Sequence, residues 1–334
     1  MVRFTVLASG SKGNCSLLST GSTRILVDAG LSCRELFRRM RQVDEDPASL
    51  DAIVITHEHS DHIQGMATTA RRLGIPVYLS EGTHREWVRQ ITPRKRITYA
   101  EWLADYRERQ SRKPDSAAPE DAGREAADLP ISLEAGAEPV PPDCGEPEAG
   151  EEPVATKDAQ AAKADPAALP DVRYFRPGES FRIGNIDVSP FTIPHDAADP
   201  VGFVFGSAGV RVAVATDLGY VPPNVAAQLQ RCDLLMIESN HDLEMLRDGP
   251  YPWSVKQRVL SRVGHLSNDA AADFLEQTYD GSATWVILAH LSESNNLPEL
   301  ARISAERALA GKPSLLGNRL LLAAQDQPLD PIAF

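Results

Sequence analysis

The run Ala52-Ile53-Val54-Ile55-Thr56 reads as a short buried strand, and it passes without a loop into His57-Glu58-His59-Ser60-Asp61-His62. Three imidazoles and two carboxylates at the end of a buried strand cost free energy unless something uses them. The chain turns there from strand to helix, with Ile63–Leu73 reading as helical, so side chains 57, 59, 61 and 62 can converge from a loop and a first helical turn. Their nitrogen and oxygen donors suit zinc or another borderline divalent ion. The alternating His57/His59 pair can serve one metal, and the adjacent Asp61/His62 pair a second. A polar helix start that Asp61 merely caps would leave this spacing behind an Ala-Ile-Val-Ile strand unexplained. Two such metals need further ligands from elsewhere in the chain.

Candidates for those ligands stand at the ends of other apolar runs. His195 follows the strand Asp187–Ile193, Asp217 follows Val210–Ala215, and His290 ends the run Thr284–Ala289. Layered sheets present functional side chains at such strand ends. Further strands are expected at Arg3–Ala8, Arg24–Asp28, Val77–Leu79, Gly202–Phe205 and Leu234–Glu238. Helices are expected at Cys33–Arg41, Gly82–Gln90, Asn268–Thr278 and Pro298–Ala310. Strands dominate early in each half and helices alternate later, which predicts an α/β fold of two sheets sandwiched between helices.

Composition narrows the setting. With 334 residues, 42% of them hydrophobic, the chain can bury a large core. Its apolar runs are far too short to span a membrane, so no membrane association is expected. The opening Met-Val-Arg-Phe-Thr-Val-Leu-Ala-Ser-Gly does not read as a signal peptide. Cys15, Cys33, Cys144 and Cys232 form neither a CxxC nor a disulfide framework, so a reducing cytoplasm is the expected location. Cys15 and Cys232 read as buried apolar fillers rather than nucleophiles.

The net charge of −13 argues against a hold on nucleic acid by bulk charge alone, but that charge is unevenly placed. Residues 114–170 carry 3 basic and 14 acidic side chains, 10 of the 25 prolines and no Phe, Tyr or Trp. The remainder is close to neutral, at −2. A segment of that composition cannot bury enough apolar area to offset its ordering entropy. We therefore expect one domain from residues 1–106 and 171–334, interrupted by an Ala/Pro/Glu-rich disordered insertion over 107–170. A protein partner for the 114–170 stretch is the functional alternative to a plain solvated loop.

The HxHxDH string after a hydrophobic strand, with His, Asp and His at later strand ends, resembles the metallo-β-lactamase superfamily of dinuclear hydrolases. Ser9-Gly10-Ser11-Lys12-Gly13-Asn14-Cys15-Ser16, Leu26-Val27-Asp28-Ala29-Gly30 and Glu238-Ser239-Asn240-His241-Asp242 narrow the resemblance to its YycJ/WalJ (VicX-type) exonuclease group. Pro250-Tyr251-Pro252-Trp253, Gly264-His265-Leu266-Ser267-Asn268 and Ala289-His290-Leu291-Ser292 add to it. The likeness covers about residues 1–106 and 171–334. It implies the superfamily's αββα sandwich, two mixed sheets flanked by helices.

The resemblance also implies roles. His57, His59 and His195 would hold one divalent ion, zinc or manganese, and Asp61, His62 and His290 the other. Asp217 would bridge them, with a hydroxide between. Asp28 would support the ligand loop from behind, a role that a strand-end turn before Gly30 could also explain, and Asp196 is a similar supporter beside His195. Glu238 and His265 resemble a proton relay to the leaving oxygen, and with Asp61 they make up the expected catalytic set. Ser9, Ser11 and Asn14, in a Gly-rich loop suited to an anion nest, and His241 are the expected substrate contacts. Arg85, Arg89, Arg94, Lys95 and Arg96 could track a nucleic-acid backbone, and the rings of Tyr251 and Trp253 could stack bases or pack in the core.

The implied function is a phosphodiesterase or nuclease of the 5′–3′ exonuclease type, acting on nucleic acid with DNA favoured over RNA. A thioesterase or small-phosphodiester hydrolase on the same metals is the alternative, as is a metal-stabilised regulatory protein without turnover.

Overall fold

Successive residues of the central strands face different cores, and that alternation sets the layering. A computed structural model of the chain describes residues 1–92, 103–104, 106–107, 165–312 and 317–334. Along β4 (Ala52–Val54), Ala52 and Val54 join one apolar cluster, while Ile53 and the following Ile55 join another. β10 (Val210–Ala215) divides in the same way, with Val212 and Val214 to one side and Ala213 and Ala215 to the other. Strands apolar on both faces must be covered on both. The result is four layers, helix, sheet, sheet, helix.

The first sheet has seven strands in the order β14-β1-β2-β3-β4-β5-β6. Besides β4 these are β1 (Arg3–Ala8), β2 (Cys15–Ser19), β3 (Arg24–Val27), β5 (Val77–Ser80), β6 (Val172–Phe175) and β14 (Ile332–Ala333). The second, in the order β13-β12-β11-β10-β9-β8-β7, adds β7 (Phe181–Ile183), β8 (Ile186–Thr192), β9 (Val201–Ser207), β11 (Leu234–Glu238), β12 (Trp285–Ala289) and β13 (Arg319–Leu322). Each sheet passes from an antiparallel meander into parallel strands, at β3 in one and β10 in the other. The strand ends at Val27, Val54, Thr192, Ala215, Glu238 and Ala289 therefore lie along matching edges.

Three apolar clusters hold the layers together. Phe4, Val27, Val54, Phe203, Phe205, Val212 and Met236 fill the space between the sheets. Leu36, Phe37 and Met40 of α1 (Cys33–Gln42), Met66 and Ala70 of α3 (Met66–Leu73) and Trp87 of α4 (Glu81–Ile91) cover the first sheet. Val225 of α5 (Pro223–Gln228), Ala271 of α6 (Asn268–Asp273) and the Ala301/Ala305/Ala308 face of α7 (Pro298–Leu309) cover the second. Ser32, Ser80 and Ser267 each accept a hydrogen bond from an amide of the first turn they precede, which fixes where α1, α4 and α6 begin.

The expected sandwich is the one observed, with differences in detail. Cys15 and Ser16 belong to β2 rather than to the Gly-rich loop, and Leu17 and Leu18 of that strand face opposite cores. The helix expected over Ile63–Leu73 is broken into α2 (Ser60–Ile63) and α3. At Gly65 the backbone presses so closely on Leu31 that a Cβ would lie 2.0 Å from its carbonyl oxygen. The helix expected over Asn268–Thr278 ends at Asp273 and continues as a π turn, Phe274–Thr278. Most of the expected insertion, and Arg94, Lys95 and Arg96, lie outside the described residues.

Residues Met1–Thr92 and Asp165–Phe334 make up one compact unit that contains all three clusters. Replacing residues 114–164 by a short Gly/Ser linker should leave its thermal unfolding midpoint unchanged by circular dichroism. A fall of more than about 5 °C, roughly 1–2 kcal/mol for a domain of this size, would mean that the segment supports the core.

Candidate metal centre

The matching strand edges of the two sheets meet, and the polar residues that follow the strands fill the gap. Asp28, Asp217 and His290 each stand one or two residues past a strand with positive φ, at 60°, 61° and 56°. Left-handed backbone at a non-glycine residue is strained, and such outliers gather at functional sites. Gly30 lets the β3 loop press onto the cluster, since a Cβ there would lie 1.7 Å from the Asp61 carbonyl oxygen. Amides of Asn14 and Ala29 then donate to the carbonyls of Asp61 and His62, both at 2.7 Å.

Four of the histidines share one arrangement, with Nδ1 tied outward and Nε2 turned inward, whereas His59 turns Nδ1 inward. His57 Nδ1 donates to Thr56 Oγ1 at 3.0 Å, and His62 Nδ1 to Asp28 Oδ2 at 2.8 Å. His195 Nδ1 donates to the Gly264 carbonyl at 3.2 Å, and His290 Nδ1 to Glu238 Oε1 at 2.9 Å. Outer partners of this kind fix the tautomer and aim the other nitrogen as a ligand. Asp28 also accepts the Thr56 amide and hydroxyl at 2.8–3.0 Å, so one carboxylate steadies both His57 and His62.

Four overlapping groups have ligand atoms within 4.8 Å of one another: His57/His59/His195, His57/His62/Asp217, Asp61/His62/His290 and Asp217/Glu238/His265/His290. The donor atoms fit a cation. His57 Nε2 and Asp217 Oδ2 are buried without a hydrogen-bond partner among the described residues. His195 Nε2, already a bare lone pair, lies 3.2 Å from His59 Nδ1. Buried polar atoms left facing one another in this way call for an ion between them.

The electrostatics of the protein alone are divided. Burial, then the neighbouring His62, holds the His57 imidazolium well below its ordinary range. Burial opposes charge on His62 and His290 too, yet Asp217 and the carboxylates around it hold both well above that range. Asp217 and Asp61 are held below the carboxylate range against their burial, Asp217 chiefly by His290 and His62, Asp61 chiefly by His62. Glu238 is buried, but His265 and His290 bring it down to about 2. Its Oε1 receives His265 Nδ1 at 2.8 Å and His290 Nδ1 at 2.9 Å, while Oε2 accepts the Leu218 and Leu266 amides. Glu238 thus serves a candidate ligand and His265 together.

The other expected residues fall in several places. Ser9 and Asn14 are buried braces: the Ser9 hydroxyl accepts the His290 amide, and Asn14 Nδ2 reaches Asp61 Oδ2 at 3.0 Å. Ser11 is exposed. Both ring nitrogens of His241 are sealed from solvent without a hydrogen-bond partner among the described residues, and burial pulls the ring down to about 4. Asp196 lies 3.5 Å from the inward nitrogen of His195 and pairs with Arg258, so the Gly264 carbonyl holds the outward one instead. Arg89 pairs with Glu86, and Trp253 is 65% exposed, outside the core. Cys15 and Cys232 are buried, their thiols pushed up to about 12 and 11. Sequence reasoning missed the Gly264 brace, a backbone atom with no side-chain signal, and the second use of Glu238.

The family described as the metallo-beta-lactamase superfamily matches residues 8–287. The chain is 30% identical over 308 residues to the exodeoxyribonuclease WalJ of Streptococcus pneumoniae, covering 92% of this chain and 88% of that one. It is 31% identical over 311 residues to the exodeoxyribonuclease YycJ of Bacillus anthracis, covering 93% and 90%. The fold is similar to that of the metallo-beta-lactamase fold protein YhfI from Bacillus subtilis, with a TM-score of 0.58, 13% identity and coverage of 99% and 100%.

Substituting Asp28→Asn should weaken metal affinity about 10–100-fold, because His62 and Thr56 lose the charged acceptor that orients them. Competition with a chromogenic chelator measures this, and an unchanged affinity would show that the Asp28 carboxylate is only a turn former.

Proposed function

The chain belongs to the metallo-beta-lactamase superfamily, and on that footing we propose that it is a dinuclear phosphodiesterase, an exonuclease acting on DNA. The observation that carries the reading is the Glu238–His265 pair, 2.8 Å apart and beside the candidate ligands. His57, His59 and His195 would hold one divalent ion, Asp61, His62 and His290 the other, and Asp217 would be shared. Their nitrogen and carboxylate donors suit zinc or manganese. Ions so held would bring the pKa of a water towards about 7 and draw charge from the phosphodiester oxygens.

The protein's own residues supply the rest. Glu238, an anion at neutral pH, accepts His265 Nδ1 and fixes the orientation of the ring. The His265 side chain is 20% exposed, while Glu238 is fully buried, so the ring is the member of the pair that a substrate can reach. As the P–O bond breaks, His265 Nε2 passes its proton to the departing oxygen, and the imidazole returns to neutral. An alkoxide leaving from a nucleotide needs that proton, whereas a thiolate leaves unaided. This favours a phosphodiester over the thioester alternative, and the exodeoxyribonuclease names of the two relatives support DNA.

His265→Ala should slow cleavage of end-labelled DNA about 10²–10⁴-fold while keeping the metal content of the parent. His290→Ala should lose metal and activity together. With a nitrophenyl phosphodiester, whose leaving group is already acidic, the His265→Ala deficit should shrink. Loss of metal from His265→Ala would make it a ligand, and a full rate on DNA would remove it from the chemistry. An inactive but metal-loaded parent would favour the regulatory alternative.

A further inference from the structure

The Ser9–Asn14 loop has two faces. Ser9 and Asn14 point inward and brace His290 and Asp61, whereas Ser11 and Lys12 point outward. The backbone between them is clamped by one side chain. Gln325 Oε1 accepts the Lys12 amide at 2.8 Å, and Gln325 Nε2 donates to the Gly13 carbonyl at 3.0 Å. Gly10 packs so closely on Gln325 that a Cβ would lie 2.7 Å from its Oε1. A long cationic side chain is therefore presented from a fixed base.

Lys12 Nζ meets Glu293 Oε2 at 2.6 Å, with the two side chains 70% and 48% exposed. Glu293 lies three residues past His290, so the pair links the loops of the two sheets at the mouth of the centre. On one side Lys12, with Ser11, Asp61, Gln64 and Trp87, lines a cavity of about 450 Å³. Glu293 lines a second cavity on the other side. Asp61 thus faces both the candidate ligands and the first cavity.

We propose that the cavity beside Asp61 seats one nucleotide unit of a single strand, and that Lys12 is its phosphate contact. Glu293 holds the ammonium in the free protein and yields it to the phosphate. The inference rests on the phosphodiesterase reading above and adds which groups hold the strand. Pockets of roughly 300–1,000 Å³ enclose single small molecules, so this one takes one nucleotide unit rather than a base pair. An exposed ion pair is weak and exchanges at little cost. A phosphate offers Lys12 a charge-assisted bond in return. Outside the acidic stretch the chain is nearly neutral, so affinity depends on individually placed cations such as this one.

Binding of a phosphorothioate single-stranded oligonucleotide to the zinc-loaded full chain, measured by fluorescence anisotropy over a salt series, tests this. Lys12→Ala should weaken binding several-fold at low salt and reduce the slope of log K against log salt by about 0.7, the contribution of one single-strand phosphate contact. Lys12→Arg should restore both. Glu293→Gln should tighten binding, because the ammonium is no longer neutralised. Gln64→Trp, which narrows the cavity, should weaken binding with no change of slope. An unchanged slope in Lys12→Ala, or weaker binding in Glu293→Gln, overturns the phosphate role of Lys12. Unchanged binding in Gln64→Trp overturns the seat. Those results beside a parent that cleaves DNA sink this inference alone. A metal-loaded parent that neither binds nor cleaves DNA sinks the reading beneath it as well.

Discussion

A single buried carboxylate, Asp217, lies within 3.3 Å of imidazoles from both sheets, His62 on one side and His290 on the other. An unpaired anion at that depth would be prohibitive, and a bare cluster of imidazolium rings equally so. Each charge is tolerable only because the other is present. The backbone at both Asp217 and His290 is bent into the left-handed region to bring the groups into register. The surrounding β-sheets, well packed and apolar on both faces, hold that strain in place.

The outer partners of the cluster come from different levels of the structure. His62 leans on a side chain, Asp28, and His195 on a backbone carbonyl, Gly264. His290 shares Glu238 with His265. Because one carboxylate steadies a candidate ligand and the candidate proton donor together, a change at Glu238 cannot separate binding from chemistry. The half-buried ring of His265, outside the proposed ligand set, can.

Much of this was legible in the sequence because it rests on periodicity and spacing. The run into His57–His62 and the residues after the later strands are all local signals, and each lands at the same edge of the sandwich. What was not legible depends on long-range contact. β2 was hidden in a Gly/Ser stretch, since its two leucines only acquire meaning when each meets a different core. Ser9 and Asn14 looked like an open anion nest, but the approach of His290 and Asp61 turns them inward and leaves Lys12 on the rim. Asp196 sits next to His195 in sequence, yet the chain reaches across to Gly264 for the bond that orients the ring.

The pairing of β14 with β1 bears on the order of assembly during synthesis. Phe4 has Ile332 as its neighbour across the sheet, so that edge of the first sheet stays open until residue 332 has been made. Gln325, which clamps the Gly10–Gly13 backbone, arrives only slightly earlier. Contacts of such sequence separation carry their closure entropy before any reward. A nascent chain can therefore hold all the candidate metal ligands while the Gly10–Gly13 loop beside them is still loose. Ile332 and Ala333 close the edge that an unfinished sheet would otherwise offer to a neighbouring chain.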